Sequence, residues 1–310
     1  MAEKLVSIVI VTRNRKKVVC NCLSSVLRMN YSPIEVILID NGSEDMTLQS
    51  VQKKFPKVRI IKAGENLGLN AGKNLGQKRA RGEYILFLDS DTTMDKNLLS
   101  ELVSVAESDP KIGIVCPKIY YADQKNIIWY AGARVNLLTS QTKNIGCNQK
   151  DVGQFNSVRE TDFAPTAYLV TKEVFNKLKG HDETFFMTYG DTDYGFRARK
   201  SGFQVVFCPK AKLWHHLGKE ENIKTIRALG FNMPMRAYYF ARNRVIFMKK
   251  HAPKKNFLIF ILFFFPLLTL YYIYKILIFG GGWQFLKPHL EGSMDGLKFA
   301  LLGKVKNRWF

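Results

Sequence analysis

A buried strand that ends on two aspartates constrains the fold of this chain more than any other stretch. Residues 84–88 (YILFL) form an unbroken apolar and aromatic run, which is typical of a strand covered on both faces of a sheet. Asp89 and Asp91 follow at spacing i and i+2, so in extended backbone both side chains point the same way. At the carboxyl end of a strand, such a pair offers oxygen ligands to a divalent cation. An acidic turn that caps a helix remains the alternative, since Asp91-Thr92-Thr93 also suits an N-cap.

The chain around this strand alternates strands with helices. The sequence predicts strands at 6–11, 34–39 and 58–61, a helix over 16–27, and a further helix that leads to residue 82. This alternation implies right-handed βαβ units and an α/β fold with a mainly parallel sheet. Three strands would then end in polar loops at one edge. No G-x-G-x-x-G or Walker A pattern opens the first helix, which disfavours dinucleotide oxidoreductases and P-loop enzymes.

Charge is concentrated near the C-terminus. Residues 242–310 hold twelve Lys or Arg and two acidic residues, so they contribute +10 to the net charge of +21. This distribution indicates an anionic partner, either nucleic acid or a membrane surface. The five cysteines are scattered without disulfide or zinc spacing, which favours a reducing compartment, and no secretory signal precedes the first strand.

Ordered motifs resemble one enzyme family. VSIVIVTRN, EVILIDNGSED, ENLGLNAGKNLG and GEYILFLDSD, in this order, are similar to an inverting family 2 glycosyltransferase with the GT-A fold. GHDETFFMTYGDTDYGFRARKSGFQVVFCPKAKLWHHLG resembles the acceptor-side segment of that family, and MRAYYFARNRVIFMKK resembles its rhamnosyltransferase-like members. The resemblance covers about residues 4–250. It implies a catalytic domain over 1–250, with a donor-binding half (1–95) and an acceptor-side half (96–250), followed by hydrophobic and amphipathic helices over 251–310.

The resemblance also implies a nucleotide-sugar donor carrying UDP, GDP or dTDP, and a set of residues that bind it. Those residues are Thr12, Arg13, Asn14, Asp40, Gly42, Asn66, Gly68, Lys73 and Asp89. Asp40 would accept a hydrogen bond from the base, although Asp-Asn-Gly-Ser is also ordinary turn chemistry. Lys73 would face the pyrophosphate, unless it is a solvated helix lysine.

A metal site and a general base complete the implied site. Asp91 would bind Mn²⁺ or Mg²⁺ directly, with Asp89 nearer the ribose and His215 completing the ligand shell. Asp191 would take the proton from the acceptor hydroxyl. Gly190 stands where the family usually has glutamate. Asp193 is predicted to hold Arg197 at i+4 rather than to act in catalysis.

The acceptor side would be formed by Thr166, Tyr189, Gly190 and Trp214. Relatives commonly carry glycine at the position of Thr166. Trp129, Trp214 and Tyr189 could stack on a sugar, or could be ordinary aromatic core.

The C-terminal part predicts membrane association. Residues 257–274 carry no charge over eighteen positions, which is near the lower limit for crossing a bilayer, and basic residues flank them on both sides. Because both flanks are positive, both are expected at the cytoplasmic face. Pro266 lies in the middle, which favours a re-entrant or interfacial hairpin over a simple span. The segment from Trp283 to Phe310 is expected to lie along anionic headgroups.

Several functions compete at this stage. The first is a membrane-associated transferase that adds a sugar to a lipid-linked glycan. Transfer to a polyprenyl phosphate is disfavoured by Asp191, because an anionic acceptor needs no base. A nucleic-acid-binding protein lacks a recognisable motif, and the charge surrounds an apolar run that fits lipid better. A non-catalytic scaffold has no reason to keep Asp89, Asp91 and Asp191 together.

Overall fold

The computed structural model describes residues 3–216, 233–279 and 281–305, which form two compact units. The first unit comprises 1–134, 143–183 and 191–217, and the second comprises 135–142, 184–190 and 218–310. This division differs from the predicted boundary at residue 250, because the helix Pro234–His251 already belongs to the second unit.

A mixed sheet of ten strands forms the centre of the first unit, as far as the chain is described. The strands in chain order are β1 (Val6–Thr12), β2 (Ile34–Asp40), β3 (Arg59–Lys62), β4 (Tyr84–Asp89), β5 (Thr92–Met94), β6 (Ile112–Tyr121), β7 (Ile128–Tyr130), β8 (Ala133–Val135), β9 (Thr142–Asn144), β10 (Arg159–Glu160), β11 (Ala167–Thr171) and β12 (Gln204–His215). The order is β10-β12-β6-β11-β4-β1-β2-β3, with β5 on β12 and β7 on β6, while β8 and β9 pair separately. Strands β4, β1, β2 and β3 are parallel, and β11 runs antiparallel between β4 and β6. The predicted α/β fold is confirmed.

Helices cover this sheet. They are α1 (Lys16–Val26), α2 (Thr47–Lys54), α3 (Leu69–Gln77), α4 (Leu98–Ser108), α5 (Lys172–Leu178) and α6 (Gly190–Lys200). Helix α3 lies close to β1 because glycine faces the strand: a Cβ on Gly72 would lie 2.8 Å from Cγ1 of Val11. This close approach brings the next residue, Lys73, into the interior, where its side chain is 2% exposed.

The polar strand ends meet at one edge of the sheet, as the sequence predicted. Thr12 pairs with Asp40, and Val11 pairs with Asp89. The alternative that Asp91 caps a helix is wrong, because the residues after it form β5. In β5, Thr92 pairs with His215 at the end of β12, which carries that histidine to the aspartates.

Helices make up most of the second unit. They are α7 (Pro234–His251), α8 (Lys254–Ile259), a π-helical turn (Phe260–Phe264), α9 (Phe265–Ile278) and α10 (Gly282–Leu302). Helices α7 and α10 pack closely, because a Cβ on Gly292 would overlap the carbonyl of Tyr238. The Tyr238 hydroxyl also donates to Asp295 at 2.8 Å. One face of α10 is therefore packed against α7, and contact of the helix with headgroups stays a prediction; residues 306–310 of that predicted segment fall outside the described residues.

The apolar run is helical from Lys254 to Ile278, with the π-turn directly before Pro266. The wider turn accommodates a residue that lacks a backbone N–H, so the chain continues where the sequence predicted a hairpin. By length and composition this 25-residue helix is able to cross a membrane, and it is the one such helix in the described chain. Only 11% of its most apolar window is buried. The hairpin within this run is therefore replaced by one continuous helix.

Candidate active site

Two aspartates and a histidine form the acidic cluster of the first unit. One ligand atom from each of Asp89, Asp91 and His215 lies within 4.8 Å of the other two. The three side chains come from the end of β4, from the turn before β5 and from the end of β12. His215 Nε2 lies 3.2 Å from Asp91 Oδ1. The structure thus brings together the three residues that the sequence nominated as metal ligands.

The two carboxyl groups have different electrostatic surroundings. Burial raises the pKa of Asp89 to about 6; the charge of Lys73 opposes this shift, and the charges of Asp91 and Asp191 reinforce it. Burial would also raise the pKa of Asp91, but bonds and charges from His215 and Arg15 outweigh it and lower the pKa to about 2. Arg15 Nη1 lies 2.6 Å from Asp91 Oδ2. Arg15 was not predicted, although its position in the first strand-end loop was a usable signal.

The cluster fits a divalent cation. Carboxylate oxygens together with an imidazole nitrogen suit Mn²⁺, whereas Mg²⁺ prefers oxygen ligands. The buried Nδ1 of His215 has no hydrogen-bond partner among the described residues. Burial is the main cause of the raised pKa of Asp89, and the charge of Asp91 adds to it, so a cation between the two carboxylates would offset their repulsion.

Two buried oxygen atoms lie at the adjoining ends of β1 and β2. Thr12 Oγ1 and Asp40 Oδ1 are inaccessible to solvent and lack hydrogen-bond partners within the described chain. Native proteins pair almost all such atoms, so the two are available to a polar ligand. Their position agrees with the predicted nucleotide-binding role, which stays a prediction.

The remaining predicted donor residues shape the neighbouring loops. Arg13 Nε donates to the carbonyl of Gly42 at 3.2 Å, and the Glu44 N–H donates to Asn14 Oδ1 at 2.8 Å. Gly42 has φ +78, and a Cβ there would lie 2.7 Å from the backbone of Glu65. These contacts fix the loop after β2 against two others.

The loop before α3 is fixed by a residue that the sequence did not nominate. Asn41 Nδ2 donates to Asn66 Oδ1 and to the carbonyl of Gly68, and Asn41 Oδ1 accepts from Leu67 N. Asn66 and Gly68 thus hold the loop in shape, and their predicted contact with the donor stays a prediction.

Asp191 lies in a buried hydrogen-bonded group. Its Oδ1 accepts from Lys73 Nζ at 2.6 Å and from the Tyr168 hydroxyl at 2.8 Å. Tyr168 in turn lies 2.7 Å from Nε2 of His181. Burial, then the charges of Lys73 and Arg197, hold the pKa of His181 well below its usual value, so its ring is neutral. Because the Tyr168 hydroxyl donates its hydrogen bond to Asp191, its oxygen accepts one from the N–H at Nε2 of His181.

Lys73 is therefore not the solvated helix lysine of the alternative interpretation. Its charge compensates Asp191 directly and opposes the raised pKa of Asp89. Tyr168 and His181 were missed by sequence reasoning, because only the fold brings β11 and the segment before α6 to α3.

Replacing Lys73 by Met should lower the free energy of unfolding by about 3 kcal/mol, because it leaves a largely buried carboxylate unpaired. Urea unfolding followed by circular dichroism would measure the change. Adding Asp191→Asn should recover part of the loss, and Lys78→Met, at an exposed position just after α3, serves as the control. Equal stability of Lys73→Met and the wild type would show that the pair does not stabilise the fold.

The four residues predicted for the acceptor side lie in different surroundings. Thr166 has φ +66, which explains why the resemblance puts glycine here, and its carbonyl accepts from Asp89 N at 2.8 Å. The Trp214 ring stacks on Tyr120, and its Nε1 donates to the carbonyl of Lys125. Side chains alternate along β12, so Trp214 faces away from the side that His215 occupies. Its predicted acceptor contact stays a prediction.

Tyr189 and Gly190 lie in the segment 184–190, which belongs to the second unit. The Tyr189 ring packs against Phe240 and Phe247 of α7. In the same unit, Arg242 donates to the carbonyl of Thr184, and Asn243 Nδ2 donates to the carbonyl of Met187 at 2.7 Å. The stretch MRAYYFARNRVIFMKK thus anchors segment 184–190, which directly precedes Asp191 in the sequence.

One smaller prediction has a clear outcome, and Trp129 can be placed, although its stacking on a sugar stays a prediction. Arg197 Nε lies 2.7 Å from Asp193 Oδ2, so Asp193 has the predicted structural role. The Trp129 ring packs edge-on against His215, with 5.0 Å between ring centroids, which places it beside the cluster. All five cysteines are free.

The mixed sheet, its convergent strand ends and the acidic cluster define the GT-A class of nucleotide-sugar-dependent folds. Residues 7–178 match the family described as Glycosyl transferase family 2, which is more than half of the chain. The chain belongs to this family.

Similar proteins include two bacterial rhamnosyltransferases. The chain is 24% identical over 301 residues to the dTDP-rhamnosyl transferase RfbF of Shigella flexneri, covering 94% of each chain. It is 25% identical over 222 residues to an N-acetylglucosaminyl-diphospho-decaprenol L-rhamnosyltransferase of Mycobacterium tuberculosis, covering 63% of this chain and 70% of that one. A Sinorhizobium fredii protein, y4gI, is 29% identical over 231 residues, and the chain spans only 24% of its length.

Solved structures share the fold at low identity. The mannosyltransferase PcManGT from Pyrobaculum calidifontis, in complex with GDP-Man and Mn²⁺, has a TM-score of 0.59 and 16% identity, over 98% of this chain and 77% of that one. GalNAc-T7 with UDP, GalNAc and Mn²⁺ has a TM-score of 0.59 and 17% identity, over 70% and 44%.

Proposed function

We propose that this protein transfers a sugar from a nucleotide-sugar donor to a hydroxyl of a lipid-linked glycan, by a metal-dependent single displacement with inversion. The observation that carries the proposal is the grouping, in one unit, of a metal-type cluster (Asp89, Asp91, His215) with a buried carboxylate, Asp191. The charge of Asp191 contributes to the raised pKa of Asp89, so the two carboxylates belong to one electrostatic site.

The chain's residues divide the work between donor and acceptor. Thr12 Oγ1 and Asp40 Oδ1 offer hydrogen-bond partners to the nucleotide. Asp191 takes the proton of the acceptor hydroxyl while that oxygen forms a bond to the anomeric carbon. The bond from this carbon to the nucleoside diphosphate breaks at the same time, and the electron pair leaves with the diphosphate. One displacement inverts the configuration.

Two groups prepare Asp191 for this role. Lys73 and Tyr168 both bond to Oδ1, so the carboxylate is held in one orientation.

Asp89, Asp91 and His215 would hold the cation. When bound, a divalent cation neutralises charge on the departing diphosphate. Mn²⁺ or Mg²⁺ would serve, and the nitrogen of His215 favours Mn²⁺.

The proposed acceptor rests on the activities of two relatives and on the role of Asp191 as general base. The mycobacterial and Shigella relatives are named as rhamnosyltransferases, the former acting on an N-acetylglucosaminyl-diphospho-decaprenol. Direct transfer to a polyprenyl phosphate is less well supported, because an anionic acceptor has no proton for Asp191 to take. Nucleic-acid binding is not supported by any observation beyond charge.

Screening nucleotide-sugars for hydrolysis with Mn²⁺ tests the proposal without knowledge of the acceptor. We expect one or a few UDP-, GDP- or dTDP-sugars to be hydrolysed slowly by the wild type and not by an Asp91→Ala variant. Absence of binding and hydrolysis for all three nucleotide classes would reject the proposal.

We further propose attachment to the cytoplasmic face of a membrane through the apolar helix 254–278. The apolar helix and lipid-linked substrates of relatives are consistent with membrane association. Lysines at 249, 250, 254 and 255 precede the most apolar part and Lys275 follows it, so anionic headgroups are attracted on both sides.

High salt should weaken the attachment of the full chain without releasing it, because salt screens charges but not apolar burial. Replacing the exposed Leu262, Phe263 and Leu270 by Glu should release the protein into the soluble fraction on sedimentation. The control replaces Leu27, Val152 and Val158, which are exposed hydrophobic residues of the first unit. Release of the unmodified chain by salt alone would contradict an apolar anchor.

A further inference from the structure

The second unit contains a cavity of about 580 Å³ whose walls differ in chemistry. One wall is polar and comes from residues 140–142. A second comes from α7 and includes Arg244, and a third comes from the apolar helix at Phe264, Leu267 and Leu268. None of the residues assigned to the donor or the metal lines this cavity. Its volume lies within the range of small-molecule sites.

Arg244 is a buried cation without a carboxylate partner. Its side chain is 6% exposed, and no acidic group of the described chain lies within salt-bridge distance of it. The guanidinium lies between the rings of Phe240 and Tyr272, at 4.5 and 4.9 Å from their centroids. Nη2 donates to the Tyr272 hydroxyl at 3.2 Å, whereas Nε has no hydrogen-bond partner among the described residues.

A second unpaired polar atom lies in the same cavity. Ser140 is 3% exposed, and its Oγ has no hydrogen-bond partner in the part of the chain that is described. Ser140 also has φ +63, a left-handed conformation that is unusual for a residue with a Cβ. Gln141 and Thr142 continue the polar wall. Donors from two separate segments therefore line one space.

The apolar wall continues onto the outside of the molecule. Leu267 lines the cavity and is also 63% exposed, and Tyr271 lines it and is half exposed. Both belong to the helix that is long and apolar enough to cross a membrane. An apolar chain lying along that helix would therefore be continuous with the cavity.

A buried cation without a counter-charge is costly, and a buried donor without an acceptor adds to the cost. An anion in the cavity would offset both, because a guanidinium binds phosphate oxygens by charge-assisted bonds. We propose that this cavity binds the phosphate or diphosphate group of a membrane lipid, with Arg244 as its counter-charge and the wall at Leu267 and Leu268 receiving the start of the lipid chain.

The inference deepens the proposed function, on which it rests only for the identity of the lipid. A lipid-linked acceptor carries a phosphate or diphosphate between its glycan and its apolar chain. The cavity would then hold the carrier while the donor site acts on the glycan. Binding of the lipid is measurable separately from sugar transfer, so failure of one does not imply failure of the other.

Farnesyl diphosphate is a suitable probe, with farnesol and inorganic pyrophosphate as its two halves. Binding to the full-length protein in detergent would be measured by calorimetry with excess EDTA, so that no divalent cation links the diphosphate to Asp89 and Asp91. We expect farnesyl diphosphate to bind more tightly than either half. Arg244→Met should weaken it roughly 10- to 100-fold, as expected for the loss of a charge-assisted bond.

Two further variants keep the test independent of folding. Leu267→Trp, at an exposed position, should fill the cavity and weaken binding similarly, whereas Arg28→Met removes an exposed arginine of the first unit and should bind as the wild type does. Nucleotide-sugar binding is measured on the same preparations with Mn²⁺ in place of EDTA and should be unchanged in all three variants. Wild-type affinity in both Arg244→Met and Leu267→Trp would overturn the site, and pyrophosphate binding as tight as farnesyl diphosphate would overturn its assignment to a lipid.

Discussion

Asp191→Asn should lower the turnover number by roughly 10²- to 10⁴-fold while the dissociation constant of the donor barely changes. Asparagine has the same size and keeps the bond from Lys73, but it cannot take the acceptor proton at neutral pH. Asp191 lies in α6 and bonds Lys73 and Tyr168, whereas the predicted nucleotide partners Thr12 and Asp40 lie at the ends of β1 and β2. We therefore expect the substitution to lower the turnover number without weakening donor binding.

Steady-state kinetics and donor titration on the same preparation would measure both quantities. Asp123→Asn is a matched control, since Asp123 is an exposed aspartate of the same unit. Near-normal turnover in Asp191→Asn would show that another group accepts the proton. A parallel collapse of donor binding would assign Asp191 to the donor instead.

Asp91→Ala should lower transfer by roughly 10³-fold or more, because several kcal/mol of charge stabilisation on the leaving diphosphate would be lost with the cation. The fold should persist, since Asp91 lies in a turn and its loss removes repulsion from Asp89. Circular dichroism would check the fold, and Mn²⁺ titration would check the cation. Asp123→Ala provides the control for the loss of a carboxylate.

Excess EDTA should reproduce the loss in the wild type, and added Mn²⁺ should restore activity. Arg15→Ala leaves the metal ligands in place but removes a cation that bonds Asp91 Oδ2. It should tighten Mn²⁺ binding, since that oxygen becomes available. Full turnover of the wild type in EDTA would contradict the metal role of the cluster.

The sequence was sufficient to predict the strand ends and the metal-type cluster. Residues 84–88 are apolar without a break, so the strand and its acidic end were readable, and the spacing of Asp89 and Asp91 set their common direction. His215 required the resemblance, because it lies 124 positions after Asp91 and reaches it only through the pairing of β5 with β12.

What sequence reasoning missed depended on long-range packing. No local pattern shows that Lys73 and Tyr168 meet Asp191, or that His181 meets Tyr168, because these residues lie on separate segments. At the C-terminus, the hairpin predicted within the apolar run was wrong, and the packing of the last helix was missed, each for a local reason. A π-turn accommodates Pro266, and glycine at 292 lets α10 pack on α7. Truncation after residue 250 would therefore expose the packed face of α7.

The anomeric configuration of the first sugar released from the donor tests the account most directly. A nucleotide-sugar that the protein hydrolyses would be followed by proton NMR before the free sugar equilibrates between its anomers. A single displacement assisted by Asp191 predicts that the first-formed sugar has the configuration opposite to that of the donor. First formation of the same anomer would contradict the proposed mechanism and the role of Asp191 in it.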